Sequence, residues 1–182
     1  MMRSDFESYL NEAASKAAFE LREIVKKNHK KDRADPNIYP YEATFTALVF
    51  HHLLNRCLKV ENLHVEAPYE NGRKRMDLSY SNPENNEEYC IEVKTVLGLT
   101  KKLELLKVRD GLTGIIKDIK KLNGLKGRKK RFMIVAYLGL EDVNDKASGK
   151  WKNQISKDAV SQGLDIQFVE KVVKIVIPPK QF

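Results

Sequence analysis

The sequence predicts a single α/β domain, and three observations carry that reading. Apolar residues recur at helical spacing over two long N-terminal stretches. The period then drops to two over three consecutive short runs. A continuous apolar run, "RFMIVAYL" at 131–138, fits a strand buried on both faces. The 182 residues suit one ordinary domain with a real core, and 42% hydrophobic with 32% charged residues is a globular composition. No repeat, low-complexity segment or long linker divides the chain, so residues 1–182 are read as one domain.

The elements follow in order. Ser4 and Glu7 have capping-box spacing, and Phe6, Leu10, Ala13, Ala14, Ala17, Leu21, Ile24 and Val25 recur behind them as one amphipathic helix. Pro36 and Pro40 mark a polar loop, and Pro40 suits the first turn of a second helix running to about Leu58. Phe45, Val49 and Leu53 broaden that helix's apolar stripe, which predicts burial. "LHVEAPY", "RKRMDLSY" and "EEYCIEVKTV" read as strands. A helix is predicted over 104–123, with Val108, Leu112, Ile115, Ile116, Ile119 and Leu122 on one side. The 131–138 strand follows, then a loop. "WKNQISKDAVSQG" reads as a short helix closed by Gly163, with Trp151 as its core anchor. "DIQFVEKVVKIVIP" supplies one or two last strands, stopped by Pro178 and Pro179.

Composition narrows the function classes. A net charge of +8 and a pI near 9.3 suit a polyanionic partner, nucleic acid ahead of membrane, although a plain solvated surface carries the same surplus. No apolar run approaches the roughly 20 residues of a membrane span, and "MMRSDFESYL" lacks the apolar core of a secretion signal. A soluble, cytoplasmic protein with no membrane partner is expected. Cys57 and Cys90 have no metal-type spacing and read as buried reduced thiols. His29, His51, His52 and His64 likewise read as structural.

The strand "EYCIEVKT" raises a sharper question, because Glu92 and Lys94 share one of its faces while Ile91 and Val93 share the other. The preceding strand is joined to it by "SNPENN", a run of turn residues. A turn centred between Glu84 and Asn85 sets Tyr80 opposite Tyr89, Leu78 opposite Ile91 and Met76 opposite Val93, a coherent apolar face. The other face then pairs Ser79 with Cys90, Asp77 with Glu92 and Arg75 with Lys94. Two carboxylates directly opposite each other are destabilising unless the face is well solvated or something positive lies between them. Lys94 could help, and a divalent cation would do more; magnesium commonly takes one or two carboxylates plus substrate phosphates. An exposed polar sheet face is the plain alternative.

Asp77, fourteen intervening residues, then Glu92-Val93-Lys94 resembles the core motif of the PD-(D/E)XK nuclease superfamily. The element order over residues 40–178 is similar too, and residues 1–35 would be an added N-terminal helix. The proline that precedes the motif aspartate in that superfamily is Met76 here. A second acid-x-Lys triplet, Asp118-Ile119-Lys120, falls in a helical pattern where positions two apart face different directions, so it is not expected to converge on an ion.

The resemblance implies a restriction-endonuclease-like fold: a central mixed β-sheet flanked by helices, with the extra N-terminal helix. It implies a metal-dependent nuclease, a phosphodiester hydrolase, with Asp77, Glu92 and Lys94 catalytic. The metal, Mg2+ with Mn2+ able to substitute, would be held by Asp77, Glu92 and the Val93 carbonyl. Glu42, in the first turn of the second helix, would be the upstream acid at the metal site, although an acid there also suits the helix dipole. DNA ranks ahead of RNA as substrate, and a homodimer is compatible with the sequence. Lys126, Arg128, Lys129, Lys130 and Arg131 form a basic run that could neutralise phosphates or simply be a solvated loop. The alternatives are a catalytically silent nucleic-acid-binding or complex-forming subunit with the same fold, and a basic interaction module with no site.

Overall fold

Helix α1, Phe6–His29, buries Phe6, Leu10, Ala13, Ala14, Ala17, Leu21 and Val25, the stripe that its spacing predicts. The structure is a computed structural model and describes residues 6–29, 41–56, 59–69, 75–98, 114–115, 117–126, 129–139, 153, 157, 165–169 and 172–177. Helix α2, Tyr41–Leu54, buries Tyr41, Phe45, Thr46, Val49 and Leu53. Residues 114, 115 and 117–123 are helical, and the 117–123 segment is α3 below. Trp151, Cys57 and the predicted cap at Ser4 lie outside the described residues, as do 104–113 of the third predicted helix. Of the late helix, only Asn153 and Lys157 are described, both helical.

Six strands form one mixed sheet in the order β1-β2-β3-β4-β6-β5. They are β1 Leu63–Pro68, β2 Arg75–Asn82, β3 Glu87–Gly98, β4 Lys130–Gly139, β5 Asp165–Val169 and β6 Val172–Ile177. β3 and β4 run parallel, and the other neighbours are antiparallel. The final apolar stretch is therefore two strands. The class is α/β, as predicted.

The β2–β3 hairpin has the predicted register at its turn end: Leu78 pairs with Ile91, Ser79 with Cys90 and Tyr80 with Tyr89. Turn chemistry sets it. Asn82 Oδ1 accepts the Glu84 N–H and Asn85 Oδ1 accepts the Glu87 N–H, each at 3.0 Å, while Asn86 takes φ 55°, which asparagine tolerates. The aromatic face then closes over α1, with the Phe6 and Tyr80 rings stacked at 4.4 Å.

α1 and α2 share a core with Leu78, Tyr80, Tyr89, Ile91, Val93, Phe132, Ile134 and Ala136 from one sheet face. Met133 and Val135 of β4 point the other way and are buried too, so the central strand is covered on both sides. α3 lies on that second side, since its Asp118 reaches Lys94, and it buries Ile119 and Leu122. The parallel β3–β4 pair thus has a helix near each face, and Glu92 and Lys94 project into the α3 side.

Candidate active site

The predicted ladder stops short of the motif. Beyond Leu78 and Ile91 no β2–β3 pair continues, so the expected oppositions of Asp77 with Glu92, Met76 with Val93 and Arg75 with Lys94 are not ladder pairs. The Asp77 side chain replaces the missing backbone partner: its Oδ2 accepts the Val93 N–H at 2.7 Å. The other neighbour is irregular at the same level. The β1–β2 register sets Glu66 opposite Asp77, but that pair is missing and Glu66 has φ 52°. A left-handed glutamate costs about 1–2 kcal/mol, and such strain concentrates at functional positions. Asp77 therefore sits where β2 is released on both sides.

Glu92 is only 2% exposed. The Tyr69 hydroxyl, at the end of β1, donates to its Oε1. Burial raises the Glu92 carboxyl to about 8, opposed by the Tyr69 hydrogen bond and reinforced by the charges of Asp77 and Asp118. Tyr69 is itself buried, and burial together with the Glu92 hydrogen bond pushes its hydroxyl well above the usual tyrosine range. The phenol is therefore a donor at any ordinary pH.

Lys94 is gripped by two acids from two helices. Its Nζ donates to Glu42 Oε1 at 2.6 Å and lies 3.3 Å from Asp118 Oδ2. Burial works against its charge, yet the Glu42 hydrogen bond and the charges of Glu42 and Asp118 outweigh that and hold the ammonium above the usual lysine range. Asp118, 3% exposed, also pairs through Oδ1 with Lys121 one helical turn on. Gly114, before α3, also comes close to the Lys94 side chain: a Cβ placed on Gly114 would lie 3.5 Å from Lys94 Cε.

Glu42 and Asp118 pair with Lys94 and Lys121, and Asp77 lies close to Glu92, so three negative charges against two positive leave an excess of one while Glu92 is protonated and of two when it ionises. Burial is the main reason Glu92 holds its proton, and the charges of Asp77 and Asp118 add to it. The donors are hard oxygens, and two of the carboxylates, Asp77 and Glu92, each have one oxygen hydrogen-bonded and the other without a hydrogen bond among the described residues. Such a set fits a magnesium-type cation completed by substrate oxygens better than an all-protein cage. No group of three or more His, Cys, Asp or Glu among the described residues is placed to hold a metal ion by itself.

Tyr69 and Asp118 were not among the expected site residues. Asp118 had a readable signal: with Ile115, Ile119 and Leu122 it lies on the buried stripe of its helix, where a lone acid needs a partner. The second triplet does not converge on one point, as expected, since Lys120 is exposed; its aspartate alone reaches the site.

The basic run requires a correction. Arg131 is fully buried and its Nη2 donates to the Leu125 carbonyl at 2.8 Å, so it does not belong to a phosphate-binding surface. Lys129 lies 3.0 Å from Glu88, and Lys130 lies 3.2 Å from Glu87. Lys126 is exposed, and Arg128 lies outside the described residues. His52 meets Glu20, His51 meets Asn55, and Cys90 is buried. No helix among the described residues is long and apolar enough to cross a membrane. Comparison with protein-family models, with curated proteins and with solved structures finds no match in any of the three.

Proposed function

We propose that the chain is a metal-dependent nuclease of the PD-(D/E)XK type with the restriction-endonuclease-like fold, hydrolysing phosphodiester bonds in nucleic acid, DNA ahead of RNA. The observation that carries this reading is the placement of Asp77, Glu92 and Lys94 around the released end of the β2–β3 ladder, with an excess of negative charge among them and their neighbours.

Asp77 and Glu92, with the Val93 carbonyl, would hold a magnesium ion. When bound, such an ion polarises the scissile phosphate and lowers the pKa of a coordinated water. The protein's own residues do the rest. Asp77 keeps its orientation through the Val93 N–H. Tyr69 fixes Glu92. Lys94, already charged and aimed by Glu42 and Asp118, orients the attacking water or stabilises charge developing on the phosphoryl oxygens. Glu42 acts in this arrangement through Lys94.

The test is direct. The purified protein is incubated with single-stranded and duplex DNA and RNA in magnesium, manganese or EDTA. Metal-dependent cleavage that disappears in Lys94→Ala, with nucleic-acid binding kept, supports the reading. Binding without cleavage in any metal supports a catalytically silent subunit instead, and the Tyr69 hydroxyl already seated on Glu92 is the feature that favours that second reading.

A further inference from the structure

Asp118 is a buried carboxylate whose two oxygens face two different ammonium groups, Lys94 on β3 and Lys121 on its own helix. Burying a carboxylate is costly, and one well-placed lysine is enough to offset its charge. A second ammonium on the same group calls for another reason. The two lysines also differ in access: Asp118 is enclosed, whereas the Lys121 side chain is one third exposed. Lys121 further interacts electrostatically with Glu92. Its contact with the buried Asp118 sets its ammonium on the site's side of α3, with part of the side chain open to solvent.

We propose that Lys121 is a second phosphate-contacting group of the site, and that Asp118 is the positioning residue that spaces it from Lys94. The inference rests on the nuclease reading and adds to it a ligand subsite on α3. One carboxylate keeps both ammonium groups close, Lys121 in contact with Oδ1 and Lys94 in an ion pair 3.3 Å from Oδ2, which has no hydrogen-bond partner among the described residues. Two fixed cations suit the two non-bridging oxygens of a phosphodiester, or two successive phosphates of one strand. Helical spacing makes the arrangement rigid, because Asp118 and Lys121 are neighbours one turn apart. Lys120, the residue before Lys121, is exposed.

The experiment measures binding of a fluorescent DNA duplex and of its single strand in EDTA across a salt series, together with cleavage in magnesium. Lys121→Met is expected to weaken binding about tenfold, as loss of one charge-assisted contact does, and to lower the slope of log affinity against log salt by about one. Lys121→Arg, which keeps the charge, is expected to restore most of both. Melting temperatures of the two variants check folding, and Lys121 is exposed enough for both to fold. Metal-dependent cleavage by the wild type with an unchanged salt slope in Lys121→Met overturns the Lys121 assignment alone. No cleavage by the wild type, with the slope reduced in Lys121→Met, overturns the nuclease reading and leaves Lys121 as a phosphate contact of a binding protein. A wild type that neither binds nor cleaves overturns both.

Discussion

Asp77, one residue beyond the last paired rung of the β2–β3 ladder, accepts the backbone N–H of Val93, two residues beyond it, at 2.7 Å. This bond makes Asp77 both a structural acceptor and a charge next to Glu92, and two substitutions separate the roles. Asp77→Asn keeps an acceptor and removes the charge. Its metal-free Tm is expected to equal or exceed that of the wild type, while the Tm rise on adding manganese is lost. Asp77→Ala leaves the Val93 N–H without its acceptor and is expected to cost about 1–3 kcal/mol in denaturant unfolding. Equal destabilisation by both would make Asp77 purely structural.

Glu92 gives a pH dependence of definite sign. Its carboxyl is raised from an ordinary 4.5 to about 8 in the folded chain. The folded state therefore binds more protons than the unfolded state between those values. This contribution to stability is full below about pH 4.5 and is lost as pH rises through about 8. Relative to Glu92→Gln, the wild type is expected to lose stability across that window in urea unfolding. Saturating magnesium should flatten the difference, because a bound cation takes the place of the proton. Cleavage should rise with pH over the same range.

Tyr69 donates to Glu92, and this favours the charged carboxylate. Tyr69→Phe removes the donor and should weaken manganese binding at neutral pH by about tenfold, the worth of a hydrogen bond to a charged group. Calorimetric titration reads it. Tighter binding in the variant would mean that the hydroxyl blocks the cation and does not prepare the site for it.

Glu42 was expected at the metal, and its contact in the structure is with Lys94. Glu42→Gln separates the two roles. If it acts by holding Lys94, cleavage falls about 10- to 100-fold, the usual cost of losing a supporting contact, and metal affinity stays near the wild-type value. A large loss of manganese affinity would return Glu42 to the ligand set.

Arg131 illustrates where charge alone misleads. In "KGRKKR" it reads as one more surface cation, but it is also the first residue of the apolar run that forms β4. Strand alternation turns it to the sheet face away from Phe132, beside Cys90 of β3, and the Leu125 carbonyl takes its guanidinium. Arg131→Met is expected to destabilise the fold by about 1–3 kcal/mol in urea, with the salt dependence of nucleic-acid binding unchanged.

The legible parts of this fold were those set by local chemistry. The Asn82, Asn85 and Asn86 turn and the Tyr80–Tyr89 pair define the hairpin register, and that register brings Asp77 and Glu92 together. Helical periodicity fixed the buried face of α1. The end of the ladder at Leu78 and Ile91 was not legible, because it depends on Asp77 folding back onto the backbone and on the left-handed turn at Glu66. Tyr69 carried no local signal, since its partner is 23 residues away. Asp118 was visible as an acid on an apolar stripe, but its partner Lys94 lies on another element.

Anomalous diffraction from crystals soaked in manganese would locate the ion against these residues. A single strong peak between the Asp77 and Glu92 carboxylates, at about 2.0–2.2 Å from an oxygen of each, with Lys94 beside it, is the expected result. Saturating manganese with no peak at these two carboxylates, or a peak bound elsewhere while Tyr69 still occupies Glu92, would contradict a metal-dependent site at Asp77, Glu92 and Lys94.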